Sequence, residues 1–238
     1  MLSERITDNG KRKTEKYNAE TQSHERSEVN PTSEVSINHN RIFPKIIYIP
    51  KNDQLSLNSL METHHRTFDR SQLINAPYQK LYIDRVPTEE LLNEMEIQIN
   101  HARHFYTAVP KERLDYRYAM GKWTLRDTVQ HVMDWERIFA ARAVVIARGA
   151  KGPLSGYDQD DMADNSAANT RELDDILVEW AHIRRSTIGL FRTFDDQMLS
   201  RKVEIGGNMQ NVLAIGFMIV GHEMHHRHVY ADRYLNEV

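Results

Sequence analysis

The sequence predicts an all-α protein: a four-helix bundle with a long crossover connection between its second and third helices, preceded by a poorly ordered N-terminal extension. Three observations carry this reading. From residue 84 onward the chain holds four apolar stripes at helical spacing and no convincing strand alternation. The stretches between them carry helix-end punctuation, namely Pro87, Pro110, Gly149 and the pair Gly206 and Gly207. The connection after the second stripe is about 20 residues long and reaches ~65 Å when extended. That is enough to cross a bundle, so the second and third helices are free to run parallel.

The 238 residues divide at this boundary into an extension over residues 1–83 and a bundle domain over 84–238. Residues 1 to about 40 are polar and charged with little aliphatic content, so they cannot bury enough apolar surface to offset their ordering entropy. Arg41 to Pro50 is a short apolar island bracketed by Pro44 and Pro50, of strand-like or docking character. Residues 51–83 are polar and irregular, and His64 and His65 read as solvated.

Val86-Pro87-Thr88-Glu89-Glu90 is a helix-start signal, a proline followed by acidic residues. Leu91, Leu92, Met95, Ile99 and Ala102 then recur at helical spacing to about Tyr106. Thr124, with Asp127 three residues on, resembles a capping box. It opens a second helix from Leu125 to Arg148, with Val129, Val132, Trp135, Ile138 and Phe139 among its apolar positions and Gly149 as its C-cap. Residues 150–168 read as loop. A third helix runs from about Asn169 to Phe194 with Leu173, Ile176, Leu177, Trp180, Ile183, Leu190 and Phe191 inward. The fourth covers about Met209 to Tyr234.

The formal charge of −3 argues against a nucleic-acid binder held by a broad basic field. No apolar run approaches the roughly 20 residues that span a bilayer, and the N-terminus lacks a signal pattern, so the expectation is a cytoplasmic protein without a membrane partner. With no cysteine, any metal must sit on His, Asp or Glu.

The apolar face of the fourth helix, Val212, Ile215 and Ile219, continues into His222 and His226. Two imidazoles four apart on one helical face can reach one ion, and an ion supplies the partner that buried polar rings need. Sites open for chemistry usually take three protein ligands. His131, on the Thr128-His131-Trp135-Ile138 stripe of the second helix, is the best third candidate. His225 and His228 lie off the stripe and read as surface or neighbouring imidazoles, and His101 and His104 are not four apart.

Two other metal readings share this spelling. His222-Glu223-x-x-His226 matches the zincin pattern, but only twelve residues follow it and the metzincin third histidine is missing. Glu179-x-x-His182 and Glu223-x-x-His226 spell a ferritin-like di-iron pair, yet Glu179 and His182 flank their helix's inward stripe on its outer side.

Lys122-Trp123-Thr124-Leu125-Arg126-Asp127-Thr128-Val129-Gln130-His131, Asp134 to Phe139 with Arg142, Gly156-Tyr157-Asp158-Gln159-Asp160, and Gly221 to His226 together resemble DinB-like (YfiT-related) proteins over roughly residues 84–236. The resemblance implies a crossover four-helix bundle, often a homodimer, with one divalent ion, usually zinc or nickel, on His131, His222 and His226. It also implies a metal-dependent thiol S-transferase or hydrolase acting on a small-molecule substrate, with a low-molecular-weight thiol as an optional cosubstrate. Glu223 is the candidate catalytic residue, as a proton acceptor or ligand-orienting group, with a solvent-facing helix charge as the alternative. Glu136 and Arg137 read as either groups supporting the site or a plain bundle salt bridge, and Tyr157 and Asp158 as either a pocket rim or a turn. The competing function is a non-catalytic, metal-stabilised bundle that binds a partner.

Overall fold

A computed structural model of the chain describes residues 66–235, and in it the four apolar stripes become four long helices. Expectations for residues 1–65, the apolar island included, lie outside the described residues. In chain order the elements are a short helix α1 (Lys80–Ile83), α2 (Leu91–Thr107), α3 (Leu125–Ala147), a short α4 (Gln159–Asp164), α5 (Leu173–Phe191), a short α6 (Asp196–Ser200), strands β1 (Lys202–Ile205) and β2 (Asn208–Asn211), and α7 (Val212–Tyr230). A π-type turn over Ala231–Leu235 follows α7.

Two ladders of contacts fix the directions of the long helices. Tyr234 donates to the carbonyl of Trp123 at one end of α3, and Arg201 to that of Ala147 at the other, so α3 and α7 are antiparallel. Arg171 reaches Gln130 near the start of α3, while Arg148 at its end lies over the Phe194 ring, so α3 and α5 run parallel as the crossover allows. Helix α2 packs on α5 and α7, and α3 packs on the same two, which places α2 and α3 on opposite corners of the bundle.

The helix ends follow local chemistry. Thr124 accepts from the amide of Asp127 and Asp127 returns a bond to the amide of Thr124, closing the capping box. Gly149 adopts φ +95°, the left-handed conformation that ends α3. Asn211 caps α7 through Ala214 N. From Val212 to Glu223 every residue of α7 is buried, as expected for a helix apolar all round.

The crossover is not plain loop. Asp158 caps α4 by accepting from the amides of Asp160 and Asp161. Asn169 at the far end of the crossover accepts from Thr124 Oγ1 and donates to Asp127, which pins it to the start of α3.

The two-stranded sheet is a departure from the sequence reading. β1 and β2 pair antiparallel with Lys202 opposite Asn211 and Ile205 opposite Asn208. Gly206 and Gly207, read as punctuation, both take positive φ, which a tight turn of the kind that joins two such strands requires. The fourth helix therefore starts at Val212 rather than Met209, because residues 208–211 are spent on the ladder. Leu154 in the crossover donates its amide to Glu204 O and so ties to the hairpin.

Residues 66–83, polar and irregular in sequence, are packed. Phe68 and Ile83 are buried in the main core, and Asn211 binds the backbone of both Ile74 and Gln72. Gln79 donates to Gln210 in the interior. Among the described residues no helix is long and apolar enough to cross a membrane.

Candidate metal centre

The antiparallel packing of α3 and α7 brings His131 opposite His222 and His226. His131 Nε2 lies 3.2 Å from His222 Nε2, and His226 Nε2 lies 3.1 Å from the same atom. All three ligand nitrogens fall within 4.8 Å of one another, and they form the one group of three or more metal-capable side chains among the described residues. A ring nitrogen carries either a hydrogen or a lone pair, so His222 Nε2 cannot donate to one neighbour and accept from the other. Three imidazole nitrogens converging on one point suit a shared cation better than any pattern of hydrogen bonds, and three such ligands are a common set for a zinc-type ion.

Burial prepares these rings to act as neutral donors. His131 is 4 % exposed and its pKa is pushed down to about 4 by desolvation. Burial lowers His222 and His226 well below the ordinary imidazole value, and the neighbouring imidazoles lower them further. Ligand nitrogens must be unprotonated to bind a metal, and these are so at neutral pH.

Aromatic side chains wall the trio. Trp123 lies 4.4 Å from the His131 ring and is stacked towards His226, and Phe139 meets His222 edge-on at 5.8 Å. Tyr82, on α1, meets His222 edge-on at 5.5 Å and His225 at 4.8 Å. A cavity of about 330 Å³ opens beside His226, bordered by Trp123, Thr128, Gln159 and Asp160.

Glu223 sits elsewhere. It is fully buried, with Arg227 Nη2 3.6 Å away, and it does not line the cavity. Burial raises its pKa against the opposing charges of Arg227 and Arg184. It is thus neither a solvent-facing charge nor a cavity wall, but part of a charged interior that includes Glu136 and Arg184. Arg184 Nε and Nη2 clasp the two oxygens of Glu136 at 2.8 and 2.9 Å, and Trp180 Nε1 donates to the same carboxylate.

The remaining candidates are dispersed. Arg137 pairs with Asp134 and Glu179 near the surface. His182, His101, His104 and His228 are exposed. Glu179 takes Arg137 and Arg171, so the di-iron spelling does not assemble. Tyr157 is exposed and lies under the Arg142 guanidinium, and the crossover meets the cavity just beyond it, at Gln159 and Asp160. Sequence reasoning missed Tyr82 and Arg184. Arg184 had a signal, since it follows Trp180 by four and Leu177 by seven on the inward stripe of α5. Tyr82 had none, because it lies outside every periodic run.

The sequence model of the DinB superfamily matches residues 94–229, more than half of the chain and all three histidines. The chain belongs to the DinB superfamily. Among solved structures it is similar to YfiT from Bacillus subtilis, described as a probable metal-dependent hydrolase with an unusual four-helix bundle topology. That likeness has a TM-score of 0.50 at 18 % identity and covers 70 % of this chain and 92 % of YfiT, so it supports the fold. No functionally curated protein matches the chain. Tyr82 lies outside the stretch that the superfamily matches, so family membership does not account for the wall it gives His222.

Proposed function

We propose that this DinB superfamily protein is a metal-dependent enzyme in which His131, His222 and His226 hold one divalent ion, zinc or nickel, for hydrolysis or thiol S-transfer on a small molecule. The observation that carries the reading is the convergence of three imidazole nitrogens, two on buried rings and the third on the partly exposed His226, beside a cavity that His226 lines. A divalent ion held there supplies positive charge that acidifies a water or small thiol and polarises a substrate oxygen.

The chain's own residues supply the rest. Trp123, Phe139 and Tyr82 pack against the imidazole rings and help orient them. Gln159 and Asp160 stand at the cavity mouth, where they can orient a substrate by hydrogen bonding. Glu223 enters as a positioning residue: its buried carboxyl, one residue from His222, lies beside Arg227 one turn along α7, and Arg227 donates to Gln98 on α2 and so ties that turn to the neighbouring helix. Because the chain has no cysteine, a sulfur nucleophile must come from a free thiol cosubstrate. Homodimerisation is part of the same proposal.

The test is elemental analysis of protein purified without a histidine tag, alongside His131→Ala and His222→Ala. Near-stoichiometric metal that both substitutions abolish supports the reading and justifies a screen of thiol-transfer and hydrolysis substrates. No metal after incubation with zinc or nickel, or metal indifferent to both substitutions, overturns it.

A further inference from the structure

We propose that the cavity beside His226 recognises its substrate through an uncharged planar aromatic ring stacked against the half-buried Tyr118 and Trp123, over a floor braced by Tyr230 and Tyr234. This rests on the reading of the cavity as the substrate site of a metal-dependent enzyme. Its volume of about 330 Å³ lies at the small end of ligand pockets, room for one ring system with short substituents.

Tyr230 and Tyr234 are buried and brace the cavity wall. Tyr230 donates its proton to the carbonyl of Arg113 at 2.7 Å and Tyr234 donates to that of Trp123 at 2.6 Å. Each has one proton to give, and each has given it to backbone, so neither donates to a ligand. Burial pushes the Tyr234 pKa up to about 12, so the phenol keeps that proton.

The rings are also fixed before any ligand arrives. Tyr230 and Tyr234 stack at 4.2 Å and 13°, and Tyr118 stands edge-on to Tyr234 at 5.0 Å and 86°. Rigid rings in offset and edge-on order reward an aromatic guest beyond its buried area, and little ordering cost is left for binding. A cage of aromatic rings is also a cation site in principle. Here the Lys122 ammonium, 6.0 Å over the Tyr118 ring, and the Asp160 carboxylate line the same cavity, so a guest of either charge meets its like and an uncharged ring fits best. Tyr234 lies beyond the matched residues 94–229, so this wall is not carried by family membership.

The experiment compares benzyl alcohol with cyclohexylmethanol, probes of matched size that do not chelate metal, by ligand-observed NMR titration of the full chain in metal-loaded and EDTA-treated forms. The expected result is about three- to tenfold tighter binding of the aryl probe. The preference should collapse in Tyr118→Leu and in Tyr234→Leu. Tyr234→Leu loses a hydrogen bond and needs its fold checked by circular dichroism. Tyr118 makes ring contacts and serves as the second variant. Equal affinity for the two probes, or an aryl preference that survives Tyr118→Leu, overturns the inference. An aryl preference in protein that takes up no metal upholds it while the metal reading falls; bound metal without the preference refutes it alone.

Discussion

Gly221 and the carbonyl of Tyr82 meet so closely that no side chain fits between them. A Cβ at residue 221 would stand 2.0 Å from Tyr82 O and 2.5 Å from its carbonyl carbon. The obstacle is backbone, so no rotamer change relieves it. The approach seats α1 on the turn of α7 that carries His222 and brings the Tyr82 ring to it. Gly221→Ala should destabilise the fold by about 1–3 kcal/mol, the usual range for overpacking. It should also weaken metal binding, since Tyr82 must retreat from His222. Gly189→Ala is the control: Gly189 is exposed in α5 with open space around its Cβ position, and alanine there should add about 0.5–1 kcal/mol. Chemical denaturation of both variants decides the matter, and an unchanged Gly221→Ala would mean that the close approach is not made.

The Glu136–Arg184 pair makes a second prediction. Both side chains are buried, at 2 % and 0 % exposure, and burial opposes the charge on Arg184 until the Glu136 carboxylate restores it. Removing one partner strands the other in the interior, and such breaks cost about 3–5 kcal/mol. Glu136→Gln should therefore be severe. Glu136→Gln with Arg184→Met should recover part of the loss, because it removes the stranded charge. A double-mutant cycle in urea measures this. Additive losses would show that the two residues are not energetically coupled.

The bundle was legible because its signals are local. The capping box at Thr124, the stripes of α2, α3 and α5 and the stop at Gly149 each rest on residues within a few positions of one another. The histidine trio was legible in part, since His222 and His226 are neighbours on one helix, while His131 stood out only as an imidazole on an apolar stripe. What escaped was order imposed from a distance. Residues 66–83 carry no periodicity and are held by partners far along the chain, such as Asn211 for Ile74 and Gln210 for Gln79. The β1–β2 hairpin escaped because Asn208-Met209-Gln210-Asn211 does not alternate like a strand. Glu223 was read from its spelling, and its burial depends on Tyr106 and Arg184 arriving from α2 and α5.

The α3 cap offers a graded test. Thr124 Oγ1 accepts from Asp127 N at 3.1 Å and donates to Asn169 Oδ1 at 2.7 Å. Thr124→Ala should cost about 1 kcal/mol, typical of a lost N-cap. Asp127→Ala should cost more, because that carboxylate also takes Asn169 Nδ2 at 2.7 Å and Arg117 at 3.0 Å. Thermal denaturation of the two variants gives the order, and a milder Asp127→Ala would show that the crossover is anchored elsewhere.

Acid should unfold the metal-stripped protein earlier than its net charge suggests. Imidazoles in the unfolded chain take up protons from about pH 6.5 downward. In the folded chain His131 does so only near pH 4, and His222 and His226 also lie well below the ordinary value, all three because of burial. Between these limits the unfolded state binds more protons, so stability rises with pH. The stabilisation is complete above about pH 6.5 and is lost as pH falls towards the folded values, at no more than about 1.4 kcal/mol per pH unit for each ring. Differential scanning calorimetry of EDTA-treated protein from pH 7.5 to 5 should show a falling Tm. His131→Gln, which removes one depressed imidazole, should flatten that slope while lowering metal uptake. A slope identical to the parent's would mean that His131 is not the buried, neutral ring that a divalent ion requires.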